Sequence, residues 1–394
     1  MLRKIHRWIG LILVLPFALQ GLTGTLLILI PLLMPARPQV APRVAADMGA
    51  PGVEAIIAAA RPAAPGGMIP LRFDPARWAG DSAVVTFGPP GERHPTFEVL
   101  MDPGAPAVIR THVFPAFFRF LHNLHADLFL LPYGQNLTGI MGLLLTGMAV
   151  TGLILWWPHP ALWASGKWRK TIVISSRARG LRLWREAHIS IGFWTSAMLL
   201  FLAVSGMILA FPFGATLFGV HRGGPGGGPG GGGRGERHGH HEAQVTETVT
   251  GEQGLDAALR ALSAKMPEAK LMAVRLGASP SQQSLEVALP AYGPNRPASV
   301  QYDAKSDVLR LTRDPGQQRT GEWTFQWLHT LHEAKLVAPA VVAPVWKAAV
   351  FVTGAALTFF SVSGFVMWSL RRRDVARRSA RVSVAMSRQT SEAD

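Results

Sequence analysis

Cysteine is absent from the 394 residues. That gap removes disulfides, thiolate nucleophiles, thiolate-held iron–sulfur clusters and the C-x-x-C-H attachment of covalent haem, so any haem here is held noncovalently. Acid is scarce as well: 24 Asp and Glu stand against 39 Lys and Arg, a net charge of +15. The basic excess sits beside apolar runs, which is the mark of cytoplasmic loops and anionic headgroups rather than of nucleic-acid binding. No paired-carboxylate motif interrupts those runs, and neither a flavin nor a nicotinamide fingerprint occurs. A redox role would therefore draw electrons from another protein or from a quinol.

What is present is apolar length. With a mean hydropathy of +0.22, the chain is a membrane protein with soluble parts. Residues 1–34 form a first span behind a basic start, with Pro16 expected to kink it. The run is too long for a signal-peptide core and is read as a retained helix. Residues 35–114 are polar and rich in Pro and Gly, with a helix at 53–60 and strands at 83–87, 96–101 and 107–109. Residues 115–157 hold an interfacial helix and a second span, and 158–187 a basic cytoplasmic loop.

The pattern then recurs. A third span covers 188–213, and 214–322 contains a Gly- and His-rich linker followed by a second helix-then-strands unit. Residues 323–373 repeat the interfacial helix and span, ending in Arg371, Arg372 and Arg373; a tail, 374–394, is expected to be disordered. The fold class is thus membrane α-helical: four transmembrane helices as a tandem duplication, two small α+β domains on the outer side, and both termini cytoplasmic.

The histidines follow the duplication. HRWIGLILVLPFALQGLTG (6–24) and HISIGFWTSAMLLFLAVSG (188–206) each place a Gly four residues after the His and a hydroxyl–Gly pair at the end. FLHNLHADL (120–128) matches WLHTLHEAKL (327–336), and TGLILWW (151–157) answers SGFVMWS (363–369). His6 and His188 fall at the cytoplasmic mouths of odd-numbered spans, and His122, His125, His329 and His332 lie on the outer side. A pseudo-two-fold packing would face His6 with His188, and one His of each LHxLH pair with its mate.

A lone His at a helix end is ordinarily a water-facing cap. Two neutral imidazoles from facing helices are instead the axial set of a b-type haem, so matched His at two depths point to two noncovalent haems. Gly10 and Gly192 would open a flat slot, and Arg7, Arg185 and Arg119 would meet propionates. His125 and His332, closer to the following spans, are the preferred outer ligands, with His122 and His329 as alternatives or as orienting groups. Asp127 is a weaker candidate to hold the His125 tautomer. His221, His238, His240 and His241 in the linker offer imidazole to a transition metal but fix no geometry, and read as a solvated spacer.

These pieces together resemble the PepSY-associated transmembrane family: HRWIG, LHADL, TGLILWW, His188 with Gly192, and SGFVMW followed by three Arg. VLMDPGAPAVI (99–109) and VQYDAKSDVLRL (300–311) are similar to PepSY domains. The resemblance implies a bacterial inner-membrane, haem-bearing reductase that passes electrons from the cytoplasm to a ferric siderophore or other chelate in the periplasm. It implies haem ligation by His6 with His188 and by His125 with His332. After His332 the chain reads EAKLVAPAVVAP where glycines are usual, which bears on the outer ligand. The other classes the sequence admits are a PepSY-type regulatory protein without cofactor and a metal or proton transporter. A transporter would want polar residues and unwound helices at mid-membrane, where these spans carry little beyond Thr and Ser.

Overall fold

Long uncharged runs have no way to satisfy their backbone in lipid except by forming helices. In a computed structural model the described residues are 1–33, 52–77, 80–90, 95–113, 116–220, 254–276, 283–303, 306–337 and 341–391. The helices are α1 Leu2–Ile12, α2 Val14–Leu33, α3 Val53–Ala60, α4 Ala116–Asp127, α5 Gly134–Trp156, α6 Pro160–Ala164, α7 Gly180–Ala210, α8 Leu255–Lys265, α9 Thr320–His332 and α10 Val342–Ser391. The strands are β1 Ile69–Asp74, β2 Ala83–Gly88, β3 Phe97–Met101, β4 Val108–Val113, β5 Lys270–Arg275, β6 Ser284–Ala288, β7 Ala298–Asp303 and β8 Val308–Arg313.

Three helices, α5, α7 and α10, are long and apolar enough to cross a membrane, and α1 with α2 makes a fourth if the bent pair is one span. The two parts of that pair meet at 66°. Pro16 explains the break: it has no N–H to give the Ile12 carbonyl, and its ring crowds that same group. The expected kink is therefore a full break one turn upstream.

The chain divides into two compact units. One comprises Met1–Leu33, Phe120–Leu217 and Trp327–Asp394. In it α2 packs on α10 and α5 on α7 at glycines. A Cβ on Gly21 would lie 2.7 Å from the Gly354 carbonyl oxygen, and one on Gly142 would lie 2.9 Å from Met207 Cβ. Such bare positions let backbones approach where water supplies no driving force. Phe17, Leu145, Leu199, Ala203 and Leu357, one or more from each of the four packed helices, bury together in the bundle centre.

The other unit comprises Met34–Arg119 and Phe218–Gln326. Its eight strands form one antiparallel sheet in the order β4-β3-β2-β1-β5-β6-β7-β8. The two α+β segments expected as separate domains thus share a sheet, joined where Phe73 pairs with Val274. Pairing β1 with β5 removes the exposed edge that each four-stranded half would otherwise present. Ile56, Ile57, Leu255 and Leu262 of α3 and α8 pack with Phe73, Val85, Val274 and Val287 of the strands. The helices also cap each other: Glu54 N donates to Asp256 Oδ1 (3.3 Å) and Asp256 N to Glu54 Oε1 (3.0 Å).

Three features depart most from the sequence expectation. Helix α7 begins at Gly180, so His188 lies two turns inside a helix rather than at its start. Residues 374–391, expected to be disordered, continue α10 to Ser391. That stretch has no Pro or Gly and is rich in Arg and Ala, both good helix formers. Strand β1 was not foreseen: Ile69, Leu71 and Phe73 alternate with Pro70, Arg72 and Asp74, but a proline argues against a strand paired on both sides; a bulge between Pro70 and Arg72 accommodates it. His221, His238, His240 and His241 lie outside the described residues.

Candidate functional site

The site is built from helix ends. Helix α4 finishes on His125 and Asp127, and α9 finishes on His332. A helix's last carbonyls have no partner of their own. Here Gln20 Nε2, from α2, donates to the His125 carbonyl (3.0 Å), and Trp346 Nε1, from α10, donates to the Leu331 carbonyl (2.9 Å). Each short helix is thereby pinned to a long one at the turn that carries its histidine.

The two imidazoles then meet, with ring centres 6.5 Å apart and planes at 43°. His125 Nδ1 lies 2.9 Å from Thr23 Oγ1 on α2, and His332 Nδ1 lies 2.9 Å from Ser205 Oγ on α7. Burial first, then the neighbouring His332 and His122, pushes His125 down to about 3, and burial pushes His332 down to about 4. Both rings are neutral at physiological pH, the form that binds a metal.

The alternatives in each LHxLH pair are placed differently. His329 Nε2 sits 3.3 Å from Glu333 Oε1, and Glu333 is 2.6 Å from Lys335 Nζ. Burial opposes the Glu333 charge, yet the His329 hydrogen bond and the Lys335 ammonium hold it below the usual carboxylate range. His122 is an electrostatic neighbour of His125 rather than the residue that meets His332. Asp127 accepts from Phe129 N at 3.0 Å, so it shapes the turn after α4, and the hydroxyl of Thr23 is what engages His125.

At the other end of the bundle, His6 Nδ1 lies 2.9 Å from Thr151 Oγ1 on α5, and His188 Nδ1 lies 2.7 Å from Ser363 Oγ on α10. His6 and His188 are electrostatic neighbours. The Phe360 ring stands edge-on to His188 at 5.1 Å. Ser205 lies seventeen positions after His188 on α7, about 26 Å of helix rise. Two histidine tiers therefore flank the apolar layer of Phe17, Leu145, Leu199 and Leu357.

Met148 stands close against the first expected slot, and the second has room for a methyl group. A Cβ on Gly10 would lie 3.1 Å from Met148 Cε, and one on Gly192 3.9 Å from Phe360 Cε1. Arg7 is exposed, with its guanidinium 5.7 Å from the Trp8 ring centre, and Arg185 is exposed one turn before His188. Arg119 falls in the other compact unit.

Do these residues fit a haem? A metal bonded at about 2.0–2.1 Å to one nitrogen of each ring, each nitrogen about 1.1 Å from its ring centre, puts the centres roughly 6.3 Å apart. The outer pair stands at 6.5 Å. In all four rings it is Nδ1 that meets a hydroxyl, which leaves Nε2 as the atom to coordinate. The donor set fits. Among the described residues no group of three or more His, Cys, Asp or Glu could hold a bare metal ion.

The profile of the PepSY-associated TM region matches residues 3–371. The chain belongs to that family. The match runs from α1 to the end of the apolar part of α10 and so includes both histidine tiers. As a PepSY-associated chain with apolar helices of spanning length, it is a membrane protein. A comparison with curated proteins finds no match.

Four residues went unassigned in the sequence: Thr23, Thr151, Ser205 and Ser363. Their signal was visible, since each is the hydroxyl of a repeated hydroxyl–Gly pair. Their role was not, because their histidines lie 102 to 175 positions away.

Proposed function

We propose that this PepSY-associated protein is a transmembrane di-haem electron-transfer protein that reduces ferric chelates, siderophores among them, to release iron. The observation that carries the reading is the outer pair, His125 and His332, set at the spacing a shared iron needs. His6 and His188 would hold the second haem. A haem held by each pair of imidazoles would supply one-electron chemistry at that depth.

The chain's own residues do the rest. Four spans hold the tiers at two depths, the helix-end contacts of Gln20 and Trp346 fix the outer rings, and the layer around Phe17 excludes water between tiers. In this reading the basic 158–187 segment and both termini face the cytoplasm of a bacterial inner membrane, and the eight-stranded unit lies in the periplasm. A protein or quinol donor is oxidised by one electron on the cytoplasmic side. The ferric chelate gains it outside, and hard oxygen ligands hold the resulting ferrous iron less well.

The test is the absorption spectrum of full-length protein purified in detergent after haem-replete expression. A Soret band with about two haems per chain is expected, shifting on reduction and returning when a ferric chelate is added. A protein without the band would end this reading and favour a cofactor-free regulatory role for the sheet unit.

A further inference from the structure

We infer that four hydroxyls, Thr23, Thr151, Ser205 and Ser363, together with the glycines that follow the first three, Gly24, Gly152 and Gly206, form imidazole cradles that position the histidines for the metal. The inference rests on the bis-imidazole reading above and adds to it which residues set tautomer, ring placement and donor strength.

The hydroxyl half follows from proton counting. A Ser or Thr hydroxyl has one proton to give and can accept through its oxygen. Thr23 Oγ1 donates to the Leu19 carbonyl at 2.7 Å, Thr151 to Gly147 at 2.8 Å and Ser205 to Phe201 at 2.7 Å. Ser363 donates to the Phe360 carbonyl at 3.2 Å. Both contacts of each hydroxyl are satisfied at once only when Nδ1–H donates to the oxygen. That fixes the proton on Nδ1 and the lone pair on Nε2. A ring that gives its Nδ1 proton to an acceptor is also a stronger donor through Nε2, which favours the ferric state.

The glycine half follows from space. A Cβ added at Gly206 would lie 2.9 Å from His332 Cε1, one at Gly24 3.1 Å from His125 Cε1, and one at Gly152 3.4 Å from His6 Cε1. At Gly364 a Cβ would meet nothing within 4 Å. Three of the four imidazoles thus rest against bare backbone on the residue next to their hydroxyl partner. The hydroxyl contact recurs on four helices and on histidines delivered in different ways: His125 and His332 near the ends of short helices, His6 from the middle of the short α1, and His188 from within the 31-residue α7.

The experiment uses full-length protein carrying Ser205→Ala, Ser205→Thr, Gly206→Ala or Gly364→Ala, read by haem content and by redox titration. Ser205→Ala is expected to weaken haem retention at the outer site by about 10–100-fold and to raise the midpoint of the haem that remains. Ser205→Thr restores both, which a merely structural loss would not predict. Gly206→Ala loses outer haem, and Gly364→Ala keeps the wild-type content. Ser205→Ala matching a haem-loaded wild type in content and midpoint would overturn the hydroxyl role, and Gly206→Ala behaving as Gly364→Ala would overturn the glycine role. A wild type that itself binds no haem fails the parent reading and this one with it, and its own spectrum tells that case apart.

Discussion

The two histidine tiers use the same contact and reach it by different routes. In the outer tier both imidazoles arrive on short helices, α4 and α9, that end where the histidine sits. Each is tied down by a side-chain donor from a neighbouring span, and the rings face each other at 6.5 Å. In the inner tier the histidines ride on the spans. His188 sits in the unbroken 31-residue α7, whereas His6 sits on α1, turned 66° from the helix that follows. The outer tier thus depends on two pinned ends that resemble each other. The inner tier depends on one helix being continuous and the other being broken. The two tiers share the contact chemistry and differ in the backbone that delivers it.

The largest expected effect separates the tiers outright. On the di-haem reading, replacing His125 and His332 together by Ala should remove about half of the haem absorbance and leave the midpoint of the His6–His188 site in place. His6→Ala with His188→Ala should remove the other half. Two double variants that each lost all haem would show a single shared site instead, and the comparison of tiers would collapse.

A smaller effect probes the broken helix. Pro16→Ala returns an N–H to the Ile12 carbonyl and removes the ring that crowds it. Helix α1 should then run on into α2, carrying His6 away from Thr151. Inner haem content should fall severalfold while the outer site, served by Thr23 beyond the break, keeps its haem. Equal losses at both sites would mean that the bend organises the whole bundle rather than one tier.

How much of this could be read from the chain? Helix α3 runs over the residues the sequence indicates and strand β2 over one residue more, because Ala-rich and β-branched segments state their structure locally. The histidines and their matched spacing were equally legible, since a repeat needs no third dimension to be noticed. What stayed hidden is tertiary. Strand β1 has Pro70, Arg72 and Asp74 among its six residues and is held by neighbours on both sides, with Arg72 answered by Glu286 at 3.2 Å. The joining of two sheets into one depends on edges meeting across more than two hundred positions. The hydroxyl partners were in view as letters, yet only packing assigns Thr23 to His125 and Ser205 to His332. Asp127, the weaker candidate to hold the His125 tautomer, is the nearer residue in sequence, but it engages Phe129 N while Thr23 engages the ring.

The smallest expected effect lies where the two halves of the outer tier differ. Position 333 is Glu beside His332, and its counterpart beside His125 is Ala126; Lys335 answers to Leu128. Only the second half therefore carries the His329–Glu333–Lys335 ion-pair chain. Glu333→Gln removes a negative charge next to one ligand while keeping its shape. The charge itself favours ferric over ferrous iron, so the outer midpoint should rise, by less than in Ser205→Ala, where the contact to the ligand is direct. Ala126→Glu, which adds the charge to the other half, should lower it. A redox titration in which both variants moved the inner midpoint as much as the outer would show that residues 126 and 333 do not belong to one tier.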